Sequence, residues 1–194
     1  DFAAVDVMTS VLGSEPAGRI YKALIDTKKA SQLAVFNFQF RDPSLFIAFA
    51  EVLKDKSLDD ARQTLTKTLD ELTKNPITAE ETDRAKNEIL KQVDLTFNSS
   101  ERVGLGMSEY IGMGDWRLFF LHRDRIKAVT AADVNRVIAQ YLKPDNRTIG
   151  LFIPTEKPDR PEIPGVPDIE ALVKDYKGNA AVSVGEAFDP SPAN

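Results

Sequence analysis

At 194 residues, with 42% hydrophobic and 28% charged side chains, the chain is long enough to bury one sizeable core. Its net charge of −5, with lysine and arginine interspersed among acids, argues against a general nucleic-acid binder. The absence of cysteine excludes disulfides and thiolate metal sites, and no apolar run reaches the ~18 residues of a membrane span.

In chain order, residues 2–12 (FAAVDVMTSVL) predict a helix with Phe2, Val5, Met8 and Leu12 on one face, stopped at Gly13. Ser14 is a candidate cap for a second helix with Pro16 in its first turn, and Lys28 and Lys29 suit that helix's negative C-terminal end. A strand follows, in which Leu33, Val35 and the Phe36/Phe38/Phe40 set alternate with smaller or polar residues. Residues 45–53 (LFIAFAEVL) predict its antiparallel partner, with Arg41–Ser44 as the connection. Ser57 caps a helix running to about Thr73, with Leu58, Ala61, Leu65, Leu69 and Leu72 as its apolar stripe.

Thr78 and Glu81 form a capping box for a helix to about Phe97. The segment ERVGLGMSEYIGMG is helical but carries four glycines, each weakening a helix by about 1 kcal/mol against alanine; they serve close packing or motion, with packing the favoured reading. Residues 116–127 and 130–141 predict two more helices, the second capped by Thr130, and residues 147–153 (RTIGLFI) a last strand. The expected architecture is α+β: an antiparallel sheet of four to six strands with helices on one face. Seven of the eleven prolines fall after position 153, so residues 155–194 read as a linker or tail beyond a 1–154 domain. Within the tail, IEALVKDYKG predicts a short helix and VGEAFDPSPAN an irregular end.

Three segments, in order, carry a resemblance. GRIYKALIDTKKA, ITAEETDRAKNEILKQ and VTAADVNRVIAQYLKPDNRTIGLFIP are similar to successive parts of the insulinase or pitrilysin (M16) zinc peptidases, in the non-catalytic domain that follows the zinc-binding one. The resemblance implies an M16 peptidase-like (LuxS/MPP-like) fold. It also implies that the chain is a piece of a longer protein, a catalytically inactive structural domain forming part of a peptide-enclosing chamber. Its partners would be the zinc-binding domain and the second half of the same parent chain, with peptide substrate met indirectly. The implied setting is periplasmic or otherwise exported, although a cytoplasmic one fits the absence of cysteine equally well. Two competing readings stay open: a structural or assembly domain related to respiratory-complex core proteins without proteolysis, and a stand-alone peptide-binding module.

The residues support a silent role. M16 catalysis uses an inverted H-x-x-E-H motif with a further Glu, and this chain has one histidine, His122. A catalytic zinc takes three protein ligands, so His122 with the nearby Asp124 falls short, and zinc is expected in the parent's preceding domain. His122 therefore reads as a surface or packing residue. In the far half of M16 peptidases, an Arg and a Tyr seven positions apart contact substrate. The resemblance maps these onto Ile25 and Gln32, which supply neither a cationic donor nor a phenol. The G-x-G at Gly104–Gly106 lacks the strand–turn–helix setting of a phosphate loop, and no nucleophile elbow accompanies the serines. No catalytic, cofactor or metal residue is expected here.

Overall fold

A computed structural model describes residues 1–178. They fall into one compact unit, Asp1–Ile149, and a second that begins at Gly150. The first unit is built around helix α1 (Phe2–Gly13), against which β1, α2, α4, α6 and α7 all pack. Its buried face is Ala3, Ala4, Val7, Met8, Val11 and Leu12. This departs from the expected stripe, since Phe2 is exposed and Val5 only half-buried. The helix is apolar around most of its circumference, so periodicity leaves its orientation open. The two alanines decide it, because small side chains let neighbouring elements close on the axis.

Gly13 makes the closest approach. A Cβ placed there would lie 2.4 Å from Val35 Cβ, so the helix end rests directly on the strand. Helix α2 (Arg19–Tyr21) continues as a π-helical turn, Lys22–Asp26. It begins later than Ser14 and Pro16 suggest. Ser14 Oγ lies 2.9 Å from Ser10 Oγ, and Gly18 holds the cap position. Lys28 turns the chain with φ 58°, and Lys29 Nζ donates to Asp60 Oδ1 and Thr64 Oγ1.

Strands β1 (Gln32–Asn37) and β2 (Phe46–Glu51) pair antiparallel from Gln32↔Glu51 to Asn37↔Phe46. They are the only sheet among the described residues, fewer strands than the four to six expected. The segment 147–153 has strand-like residues but no ladder partner among the described residues, because alternation marks a backbone able to pair without supplying the neighbour. Helix α3 (Leu58–Asp70) is capped by Ser57 and buries Ala61 and Leu69, with Leu72 just beyond its end. Helix α4 (Ala79–Thr96) opens on the Thr78–Glu81 capping box, and α7 (Ala131–Tyr141) on the matching box of Thr130 and Asp133. Asn135 of α7 bonds both Ile77 N–H and Ile77 C=O, fixing the α3–α4 connection to α7.

Helices α5 (Ser100–Gly112) and α6 (Leu118–Ala128) lie farther out, and α5 buries no residue. A Cβ on Gly104 or Gly112 would meet nothing within 4 Å, so these two glycines do not serve close packing among the described residues. The α5–α6 pair is held instead by aromatic contacts. Phe119 of α6 meets Tyr110 of α5 edge-on at 5.4 Å, and the cluster extends to Phe97 at the end of α4, edge-on to Phe119 at 5.7 Å, and to Trp116 before α6, edge-on to Phe120 at 5.8 Å. In the second unit, helix α8 (Ile169–Val173) is capped by Asp168, within a run of exposed residues. The expected irregular end, VGEAFDPSPAN, lies outside the described residues.

Candidate functional site

The β1–β2 hairpin separates two kinds of surface. Inward, Leu33, Val35, Phe46, Ala48 and Ala50 pack on the core. Outward, Phe36, Phe38, Phe40 and, across the pair, Phe49 stand exposed, at 38, 39, 49 and 53%. Phe36 meets Phe38 edge-on at 5.4 Å, and Phe38 stacks on Phe40 at 5.3 Å. The result is a row of rings running from the end of β1 into the connection, with Leu45 across from Phe38.

Sequence hydrophobicity alone would turn the phenylalanines inward. Polar chemistry beneath the strand reverses this. Asn37 and Gln39, the residues between the rings, point toward α1 and donate to Asp6 Oδ1 and Oδ2, each at 2.7 Å. From α6, His122 Nε2 reaches Asp6 Oδ2 at 2.6 Å. A hydrogen bond to a carboxylate requires that nitrogen to carry the proton. The 3.0 Å approach of Gln39 Nε2 to the same atom is therefore a close contact between two donors. One half-buried carboxylate thus collects three donors from β1, the hairpin connection and α6. A one-residue slip of the strand would bury the rings and expel the amides. Tyr110 borders this latch, its ring 6.3 Å from His122. Burial pushes its phenol up to about 12, with the Asp6 charge adding to the effect.

Of the positions singled out in the sequence, Gln32 opens β1 on the exposed outer face, opposite Glu51. Ile25 is half-buried against the core. His122 is engaged by Asp6, and no group of three His, Cys, Asp or Glu among the described residues is placed to hold a metal ion. The donor set does not fit a zinc ion. The latch itself was missed in the sequence. Its signal was the polar pair Asn37 and Gln39 inside an otherwise aromatic strand.

A second polar cluster joins α2 to the start of α4. Arg19 forks onto both oxygens of Glu81 at 2.7 Å and also donates to Asn75 and Pro76 carbonyls. Glu81 at the same time closes the α4 capping box. The Arg19 guanidinium, followed by the Thr78 backbone and hydroxyl bonds, lowers the Glu81 carboxyl to about 2 against a desolvation effect of opposite sign.

The peptidase M16 inactive domain, as a family profile, matches residues 1–89. The inactive peptidase domain of a protein assigned as a zinc protease from Bordetella parapertussis is 41% identical. It superposes with a TM-score of 0.74 over 84% of this chain and 87% of that one. The chain belongs to the peptidase M16 inactive-domain family. A protein assigned as a zinc protease from Bordetella pertussis agrees, at 40% identity and TM-score 0.72, over 79% of this chain and 85% of its own. The zinc protease PqqE of Helicobacter pylori is 26% identical over 157 residues. That stretch is 79% of this chain but 34% of PqqE, so the chain spans about a third of the length of that curated relative. As an M16 inactive domain the chain is non-catalytic, and its helix-rich fold with an antiparallel strand pair matches those of its structural relatives.

Proposed function

We propose that this inactive domain completes the first half of a two-halved zinc peptidase, lying beside the zinc-binding domain and walling a chamber in which an extended peptide is confined. The observation that carries the reading is the 41% identity to the Bordetella parapertussis inactive peptidase domain. The donor chemistry agrees with it: a lone imidazole already bound to Asp6 leaves zinc and the water-activating base to the parent's other domain. Ile25 and Gln32 stand where the far-half domain of the family presents its Arg and Tyr, and neither could stabilise an oxyanion as those do. The wall is passive in the chemistry and acts by shape and apolar contact. We place the parent in a periplasmic or otherwise exported setting.

The test is to express the chain together with the roughly 200 residues that precede it in its parent. The longer protein is expected to hydrolyse unstructured peptides in a chelator-sensitive manner, while the 194-residue chain alone does not. Hydrolysis by the purified chain alone, or an inert parent lacking H-x-x-E-H, would overturn the proposal.

A further inference from the structure

We infer that residues 158–168 form a stiff polyproline II rod, a spacer of fixed reach within the second unit rather than a flexible tether. Pro158, Pro161, Pro164 and Pro167 fall at every third position. Each proline ring fixes its own φ at about −65° and bars the residue before it from the helical region. Lys157, Arg160, Ile163 and Val166 are the residues so barred, and they are held to extended backbone. From Lys157 to Pro167, only Asp159, Glu162 and Gly165 keep ordinary freedom. Polyproline II has about three residues per turn, so this spacing stacks the four rings into one ridge and sets Ile163 and Val166 together on a neighbouring one.

The conformation of the segment is that of a rod. The backbone bends at Glu156–Lys157 and enters α8 at Ile169; between them it runs from Pro158 to Asp168 without a turn, bend, helix or strand. Residues 158–167 make no hydrogen bond among the described residues, as in polyproline II, whose backbone is solvated throughout. Asp168, where the rod meets α8, is extended, with φ −68° and ψ 100°. A coil collapsed on itself would shelter its aliphatic side chains, yet Ile163 and Val166 are 89 and 92% exposed.

Length separates a rod from a tether. At a rise of about 3.1 Å per residue, the span from Pro158 to Asp168 is about 31 Å. A flexible chain of the same length spans about 5–6 Å times the square root of the residue number, or about 17 Å. The rod therefore holds α8 nearly twice as far from Pro158 as a glycine–serine linker would, and with a narrower spread.

The chain has no cysteine, so Lys157→Cys and Ile169→Cys supply the only two labelling sites for a distance measurement. Pulsed electron paramagnetic resonance between spin labels at these positions, in the intact 194-residue chain, is expected to give a narrow distribution centred at about 37 Å. Changing Pro158→Gly, Pro161→Gly, Pro164→Gly and Pro167→Gly together is expected to broaden it and move its centre to about 19 Å. Ile163→Ser with Val166→Ser is expected to leave it unchanged, because the stiffness lies in the proline rings and not in apolar contact. The wild-type distribution is also expected to persist in urea that unfolds the first unit. A broad wild-type distribution centred near about 19 Å would overturn the inference, as would a glycine variant that keeps the long, narrow distribution. Collapse of the spacing in urea, or on changing Ile163 and Val166, would equally overturn it, by showing that the segment is extended through contacts made elsewhere. The measurement needs neither zinc nor peptide, so its outcome and that of the peptidase reading are decided separately.

Discussion

Replacing Glu81→Gln isolates the charge that joins α2 to α4. The amide keeps the shape of the side chain and can still accept from the Thr78 N–H. It loses the charge-assisted fork from Arg19, whose bonds to both Glu81 oxygens measure 2.7 Å. The carboxyl is lowered from 4.5 to about 2, which at about 1.36 kcal/mol per pH unit gives about 3.4 kcal/mol at face value. The side chain retains 18% exposure and sits near solvent, so screening reduces this to about 1.5–2 kcal/mol. The folded-state value is depressed. The contribution is therefore complete above the unfolded value near 4.5 and vanishes as pH falls through 2. Urea unfolding followed by circular dichroism at pH 7, 4 and 2 reads it directly. Wild type should exceed the variant by about 1.5–2 kcal/mol at pH 7, with most of the gap closed at pH 2, where about half of the wild-type carboxyl is protonated. A gap of the same size at pH 2, or none at pH 7, would refute the account.

Asp6→Ala leaves the donors of Asn37, Gln39 and His122 without their acceptor, and thermal unfolding should show a loss of about 2–3 kcal/mol. The variant should also increase binding of a hydrophobic dye, as the hairpin end loosens. Tyr110 has its phenol raised from 10 to about 12, so its stabilising neutrality holds below pH 10 and is lost as pH rises through 12. Ultraviolet titration should show one phenol ionising late in wild type and absent in Tyr110→Phe; a phenol lost from the pH 10 group instead would contradict its burial.

What the residues reveal in advance follows the range of the interaction. The caps at Ser57, Thr78 and Thr130 are local chemistry over three residues, and each forms as the sequence indicates. The two hairpin strands are similarly legible, because alternation and the RDPS turn lie side by side. Which side of β1 faces the core is not. Leu33 and Val35 turn inward while Phe36, Phe38 and Phe40 turn out, a choice settled by Asp6 and His122, 31 and 85 residues from Asn37. Hydrophobicity ranks the rings above the amides, and a three-donor carboxylate outweighs that ranking only once four distant residues meet. The M16 relationship was readable because its segments keep their order, which no single segment could show.

The contact between Gly13 and Val35 has a mechanical consequence. With no side chain between helix end and strand, there is no compliant layer to absorb displacement. The helix behaves as a lever seated on the back of the hairpin. A small tilt of α1, wherever applied along its twelve residues, reappears as a rotation of the phenylalanine rings on the opposite side. The ring-bearing face of the hairpin is thereby geared to the helical layer behind it.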